Sequence, residues 1–321
     1  MLPYLLRRLG QSVLVLLAVS WVAFGVFRHL GDPTISLLGE DASLADRQAV
    51  LAELGFDQPV AVQYLHYLGQ VLQGEWGISY RTKQPVVAVI AERLPATLEL
   101  AWVAGLLAVG GGVALGVYTA IRREGWFSRA LMAVSLVGVS LPTFLIGIGL
   151  IDLFAVELRW LPSFGRGETV ALGGWRTGLL TASGWASLVL PVCTLALFKL
   201  TLIMRLVRAE MLDALRTDYV RFAQARGLPW RSIHLRHALR NTLIPVVTIT
   251  GLQIGSLIAF AIVTETVFQW PGVGLLFISS IQAVDVPVIA AYLLLIALLY
   301  VGINLAVDLL YLLVDPRLRQ A

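Results

Sequence analysis

The chain reads as long, unbroken apolar runs set apart by short basic or Gly/Pro-bearing segments. It shows neither the period-two alternation of a half-buried strand nor the narrow stripe of a surface helix. A bilayer core about 30 Å thick demands about 20 consecutive apolar residues of a helix, and six stretches meet the demand: 9–27, 97–121, 130–154, 186–206, 243–267 and 288–314. The predicted fold is all-α and polytopic, six transmembrane helices with a helical external loop between the first and second. It divides into residues 1–96, holding the first span and that loop, and a five-helix part over 97–321 with a basic loop at 207–242.

The first loop is patterned. Ser43 followed by Asp46 opens one apolar-periodic stretch (Leu44, Val50, Leu51, Leu54), and Pro59 opens another (Val62, Leu65, Leu68, Leu72). With Tyr64, Tyr67 and Trp76 these predict amphipathic helices that lie along the outer membrane surface, cap the bundle or cover the mouth of a pathway. Arg7 and Arg8 before an apolar run, with Ala18 and Ser20 following, resemble a signal peptide. The run exceeds the about 7 to 15 residues of a signal's apolar core, so a retained first helix is expected.

Composition narrows the class. With 58% apolar and 14% charged residues and a mean hydropathy of +0.81, lipid is the expected solvent. The net charge of +4 is spread in short arginine-bearing segments, which argues against a nucleic-acid partner. With the N-terminus inside, fifteen arginines fall on the inner side, against seven arginines and Lys83 outside. Five of those outer charges sit in the long first loop, where they weigh little. An inner-membrane, multi-pass protein with both termini cytoplasmic is predicted. The lone Cys193 excludes an internal disulfide.

Enzyme chemistry has no foothold. A phosphate-cradling loop needs a lysine after glycine, and Lys83 and Lys199 follow Thr82 and Phe198. There is no H-E-x-x-H motif, and His29, His66, His234 and His237 all fall outside the spans, away from any intramembrane nucleophile. No catalytic, cofactor or metal site is expected. Polar groups within spans cost about 2.5–3.5 kcal/mol each at a helix centre. Asp152 and Glu265 near outer span ends and Asp308 near an inner end are either interfacial or part of a pathway. Asn304 and Asp308, four apart, share a face and either bond a neighbouring helix or line a cavity. Lys199 is expected to snorkel toward the cytoplasm. Gly112 and Gly116 predict close helix packing, while Pro142, Pro191 and Pro245 fit either kinks around a solute path or plain packing.

The basic loop runs DYVRFAQARGLPWRSIHLRHALRNTLIP, a short helical run closed by Gly227. It resembles the cytoplasmic-loop signature of binding-protein-dependent ABC importer permeases, specifically the dipeptide and oligopeptide permease family. In the wider class the loop reads E-A-A, three residues, G, nine residues, I-x-L-P. Gly227 takes the glycine, Ala223 keeps the third position, and Arg221 and Phe222 replace the first two. His237, Leu239 and Arg240 stand where I, L and P would, departures shared with the peptide subfamily. The likeness extends to ELGFDQPVAVQYLHYLGQVLQGEWGISYRTKQPV, AERLPATLEL, SLPTF, ETVFQWPGVG and NLAVDLLYLLVDPRLR. It implies the type I importer fold and a coupling helix that docks on a separate ATPase, built from Tyr219, Arg221, Phe222, Ala223, Ala225, Arg226, Gly227 and Leu228. It also implies a second homologous permease, two ABC ATPases that bind the ATP, an external solute-binding protein, and no cofactor on this chain. The solute would be a di- or oligopeptide, or alternatively a nickel chelate, glutathione, an oligosaccharide or an antimicrobial peptide.

Overall fold

The computed structural model describes residues 2–30, 43 and 58–314. The stretch expected to be helical after Ser43, with Leu44, Asp46, Val50, Leu51 and Leu54, lies outside the described residues, as does the tail bearing Arg317 and Arg319. The elements are α1 (Leu2–Leu30), α2 (Val60–Leu72), α3 (Val86–Ile121), α4 (Trp126–Ser140) and α5 (Thr143–Leu150), the last running on as a π-helical turn, Ile151–Glu157. A small hairpin follows, β1 (Val170–Leu172) and β2 (Trp175–Thr177), then α6 (Ala182–Leu215) and α7 (Asp218–Ala225). A π-helical turn, Ser232–Ala238, leads into α8 (Leu239–Val267), and α9 (Val273–Gln282) and α10 (Val286–Val314) complete the described chain.

Among the described residues five helices are long and apolar enough to cross a bilayer, six if a bent pair counts as one span. That pair is the third predicted span, and it is not the single helix expected over 130–154. The axes of α4 and of the segment from Thr143 to Glu157 differ by 114°. The cause is local: Leu141, which precedes a proline, is extended at φ −88° and ψ 138°, and Pro142 at φ −56° and ψ 137° starts the next helix. Pro191 has no such effect inside α6, nor Pro95 inside α3, because packed neighbours hold a helix together across a missing hydrogen bond.

The described residues form two compact units. The first comprises Ala96–Trp270 with the chain from Gly302 on, and its core runs along α3, α6 and α8, with Leu100, Leu188, Ile203, Val207, Met211, Val246 and Trp270 buried. In lipid, close packing rather than water exclusion must hold helices together. Glycine supplies that closeness: a Cβ at Gly112 would lie 2.8 Å from Ile203 Cβ, and one at Gly116 would lie 2.6 Å from Val207 Cβ. The indole of Trp270 donates to the Ala96 carbonyl at 2.9 Å, so its one polar atom is satisfied.

The second unit comprises Leu2–Pro95 and Pro271–Val301. Here α2 is the helix that Pro59 was expected to open, and it packs through its tyrosines. Leu65 and Leu72 are 63% and 80% exposed, while Tyr64 and Tyr67 meet Phe24, Trp21 and Phe27 of α1 ring to ring. Aromatic area outweighed the leucine spacing. The chain before α3 is tied to the loop before α10: the Asp285 carboxylate accepts from Ser79 Oγ at 2.5 Å and from the Tyr80 N–H at 2.9 Å.

Candidate functional site

The eight predicted loop residues all fall on α7 and its C-terminal cap. Asp218 in the first turn suits the positive end of the helix dipole. Val220 and Ala223, three apart, bury against Ile233 and Leu215, which anchors the helix by one edge. The helix ends in a Schellman motif. The Leu228 N–H donates to the Ala223 carbonyl at 3.3 Å and the Gly227 N–H to the Gln224 carbonyl at 2.9 Å, with Gly227 at φ +73°. A side chain is strained at that φ, which is why glycine stands there.

The opposite edge is left bare. Phe222 is 64% exposed, Trp230 64%, and Tyr219 and Leu228 also face outward. Arg221 pairs weakly with Asp218 at 3.6 Å on the surface, and the Arg226 guanidinium lies 5.7 Å from the Phe222 ring centre. The result is a short rigid helix presenting an apolar knob flanked by arginines. Behind it the Trp230 ring stacks on His234, with centres 4.3 Å apart, and burial pushes the His234 imidazole's pKa below its ordinary 6.5.

The polar residues predicted within spans scatter. Asp152 is exposed on the π-helical turn, whereas Glu265 and Asp308 are buried, so the interfacial reading does not describe those two. Asn304 is half-buried beside the Asp308 turn. The structure brings Glu265 together with Thr97, whose hydroxyl donates to its carboxylate at 2.5 Å. Lys199 does not snorkel: it is 6% exposed and donates to Gln253.

Sequence reasoning missed one cluster. Glu99, at the start of the second span, is 5% exposed and holds Arg166 at 2.5 Å. Arg166 also donates to the Arg176 carbonyl at 2.7 Å, and the Trp175 indole donates to Glu99 at 3.1 Å. The guanidinium sits 5.9 Å from the Trp270 ring centre. The hairpin β1–β2 positions two of these partners, and its Gly173–Gly174 turn between short apolar strands was the available signal.

Comparisons with known proteins place the chain in a family and a fold. The family described as "Binding-protein-dependent transport system inner membrane component" matches residues 112–320, and its N-terminal counterpart matches residues 1–101. The dipeptide transport system permease protein of Escherichia coli is 38% identical over 339 aligned residues, covering 99% of both chains. The glutathione transport system permease protein of Shigella flexneri is 38% identical over 321, again covering 99% of both. Among solved structures, an inward-facing conformation of the MetNI methionine ABC transporter shares the fold, with a TM-score of 0.54 at 19% identity, over 68% of this chain and 93% of that one. A component of such a system works with a solute-binding protein and an ATPase, and carries out transport rather than an enzymatic step. The chain belongs to the family of binding-protein-dependent transport system inner membrane components, multi-pass permeases of the type I ABC importer fold.

Proposed function

We propose that this chain forms half of the translocation pathway of an importer for di- and oligopeptides, and that α7 is the helix through which a separate ATPase drives it. The observation that carries the reading is Phe222: a phenylalanine 64% exposed on a helix anchored from behind and closed by a glycine cap is a knob built for a socket on another protein. The relative named for dipeptide transport supports the solute class.

In the proposed assembly a second homologous permease supplies the other half, two ABC ATPases bind the ATP, and an external binding protein delivers solute. Both termini and α7 face the cytoplasm, as the arginine distribution favours. Closure of the ATPases pushes α7, and because the Val220–Ala223–Ile233 contact ties α7 to the π-helical turn that leads into α8, the push reaches a membrane-spanning helix as a rigid-body motion.

The test is to purify the tagged chain from native membranes, with and without Phe222→Asp, and to identify co-purifying proteins by mass spectrometry. Wild type is expected to bring two ATPases and a second permease. The variant is expected to lose the ATPases by about tenfold or more while keeping the permease, as removal of a central apolar anchor does. Equal ATPase recovery from both, or none from either, overturns the assignment.

A further inference from the structure

Lys199 lies near the middle of α6 and Gln253 near the middle of α8, and the ammonium donates to the Gln253 side-chain carbonyl. The rings of Phe198 and Phe260 stand 5.3 and 5.6 Å from Nζ. An ammonium carries three protons. One goes to a neutral amide, and no carboxylate among the described residues pairs with it. A buried charge held this way is costly in lipid, and a cost of that kind marks a functional position.

Lys199 lines a cavity of about 340 Å³, whose far wall is the broken third span at Leu141 and Pro142. There α5 begins with no side-chain cap, so the positive end of its dipole lies at the same cavity. A cation and a helix N-terminus together favour an anion, and discontinuous helices near the middle of a bilayer are where transporters hold charged solute groups. The remaining wall is mostly apolar (Val139, Leu195, Leu257 and the two phenylalanines) with Ser140 and Thr143 beside the break, a mixture that suits the body of a short peptide.

We propose that Lys199 and Gln253 form a carboxylate-holding subsite on the solute route, which takes the C-terminal carboxylate of a short peptide as it passes. The inference rests on the peptide-import reading above. Lys199, which lines the cavity, supplies the charge, and the Gln253 carbonyl acts as a positioning group that orients the ammonium. The rings of Phe198 and Phe260 flank the ammonium without adding a competing charge.

The test uses the whole importer, with its binding protein and ATPases, in proteoliposomes, and follows ATP-driven uptake of labelled dialanine. Lys199→Met removes the charge and keeps the shape, and Gln253→Glu gives the ammonium an internal counterion. Each is expected to lower uptake by about tenfold or more, the loss of one charge-assisted contact, while ATP hydrolysis stimulated by loaded binding protein stays within about twofold. Lys199→Arg is expected to keep most of the uptake. Unchanged uptake in Lys199→Met or Gln253→Glu overturns the subsite. So does a joint fall of uptake and stimulated hydrolysis that Lys199→Arg does not rescue, which is the signature of a packing role. A wild-type importer that hydrolyses ATP with its binding protein but carries no dialanine overturns the peptide reading, and this ligand with it.

Discussion

The two ends of the first unit handle awkward groups in opposite ways. At the hairpin, Glu99 and Arg166 are charged yet buried, and they pair with each other within the chain, although the Arg166 Nε is left without a hydrogen-bond partner among the described residues. At α7 the awkward groups are apolar, and Phe222 and Trp230 stay exposed although buried neighbours lie a turn away. The hairpin end meets most of its polar needs within the chain, and the α7 end, on the proposed function, is covered by an ATPase. Substitutions at the first should therefore show in the stability of the isolated chain, and those at the second in what the chain binds.

The largest effect on stability is expected from Glu99→Ala. It strands a buried guanidinium, and breaking one side of such a pair costs about 3–5 kcal/mol. Unfolding of the purified chain in detergent would measure it. The double change Glu99→Met with Arg166→Met is expected to recover most of the loss, because an apolar pair leaves no charge behind. If Glu99→Ala unfolds like wild type, the hairpin end is not the self-sufficient region described.

A smaller loss is expected from Gly227→Ala. A Cβ at φ +73° costs about 1–2 kcal/mol, and nothing lies within 4 Å of it, so the whole effect is backbone strain in the cap. Hydrogen exchange at Gly227 and Leu228 should rise while exchange at Trp175 does not. Phe222→Asp is expected to change the unfolding free energy by less than about 0.5 kcal/mol, as surface changes do, although on the proposed function it weakens ATPase binding. A large destabilisation by Phe222→Asp would mean that the ring is part of the core, and the contrast between the two ends would fail.

How far the sequence foretold this follows from the range of the forces involved. Apolar runs reflect a requirement each helix meets alone, so the spans were legible, and so was α7, whose Asp218, Val220, Ala223 and Gly227 act within ten residues of one another. The Arg166–Glu99 pair joins residues 67 apart, and Lys199 meets Gln253 at a separation of 54. No local pattern encodes either contact. Pro142 and Pro191 look alike in the sequence, yet the residue before Pro142 is extended and ends its helix while α6 runs unbroken through Pro191, where packed neighbours hold it.

His234 offers the smallest test, and one that separates the two ends by pH alone. Burial against Trp230 lowers its pKa, so the packed loop favours the neutral ring, whereas an opened loop titrates at the ordinary 6.5. Below that value the opened form takes up a proton that the packed form refuses, so stability is lost as pH falls from 6.5 toward the lowered value, and it is fully present above 6.5. Between pH 7.5 and 5.5, and after correction for intrinsic rates, exchange over 218–238 is expected to accelerate while the hairpin stays protected. The dependence should vanish in His234→Phe, which keeps a ring stacked on Trp230. Equal acceleration at both ends, or a dependence that survives His234→Phe, would assign the pH effect to the whole unit rather than to the one buried imidazole behind α7.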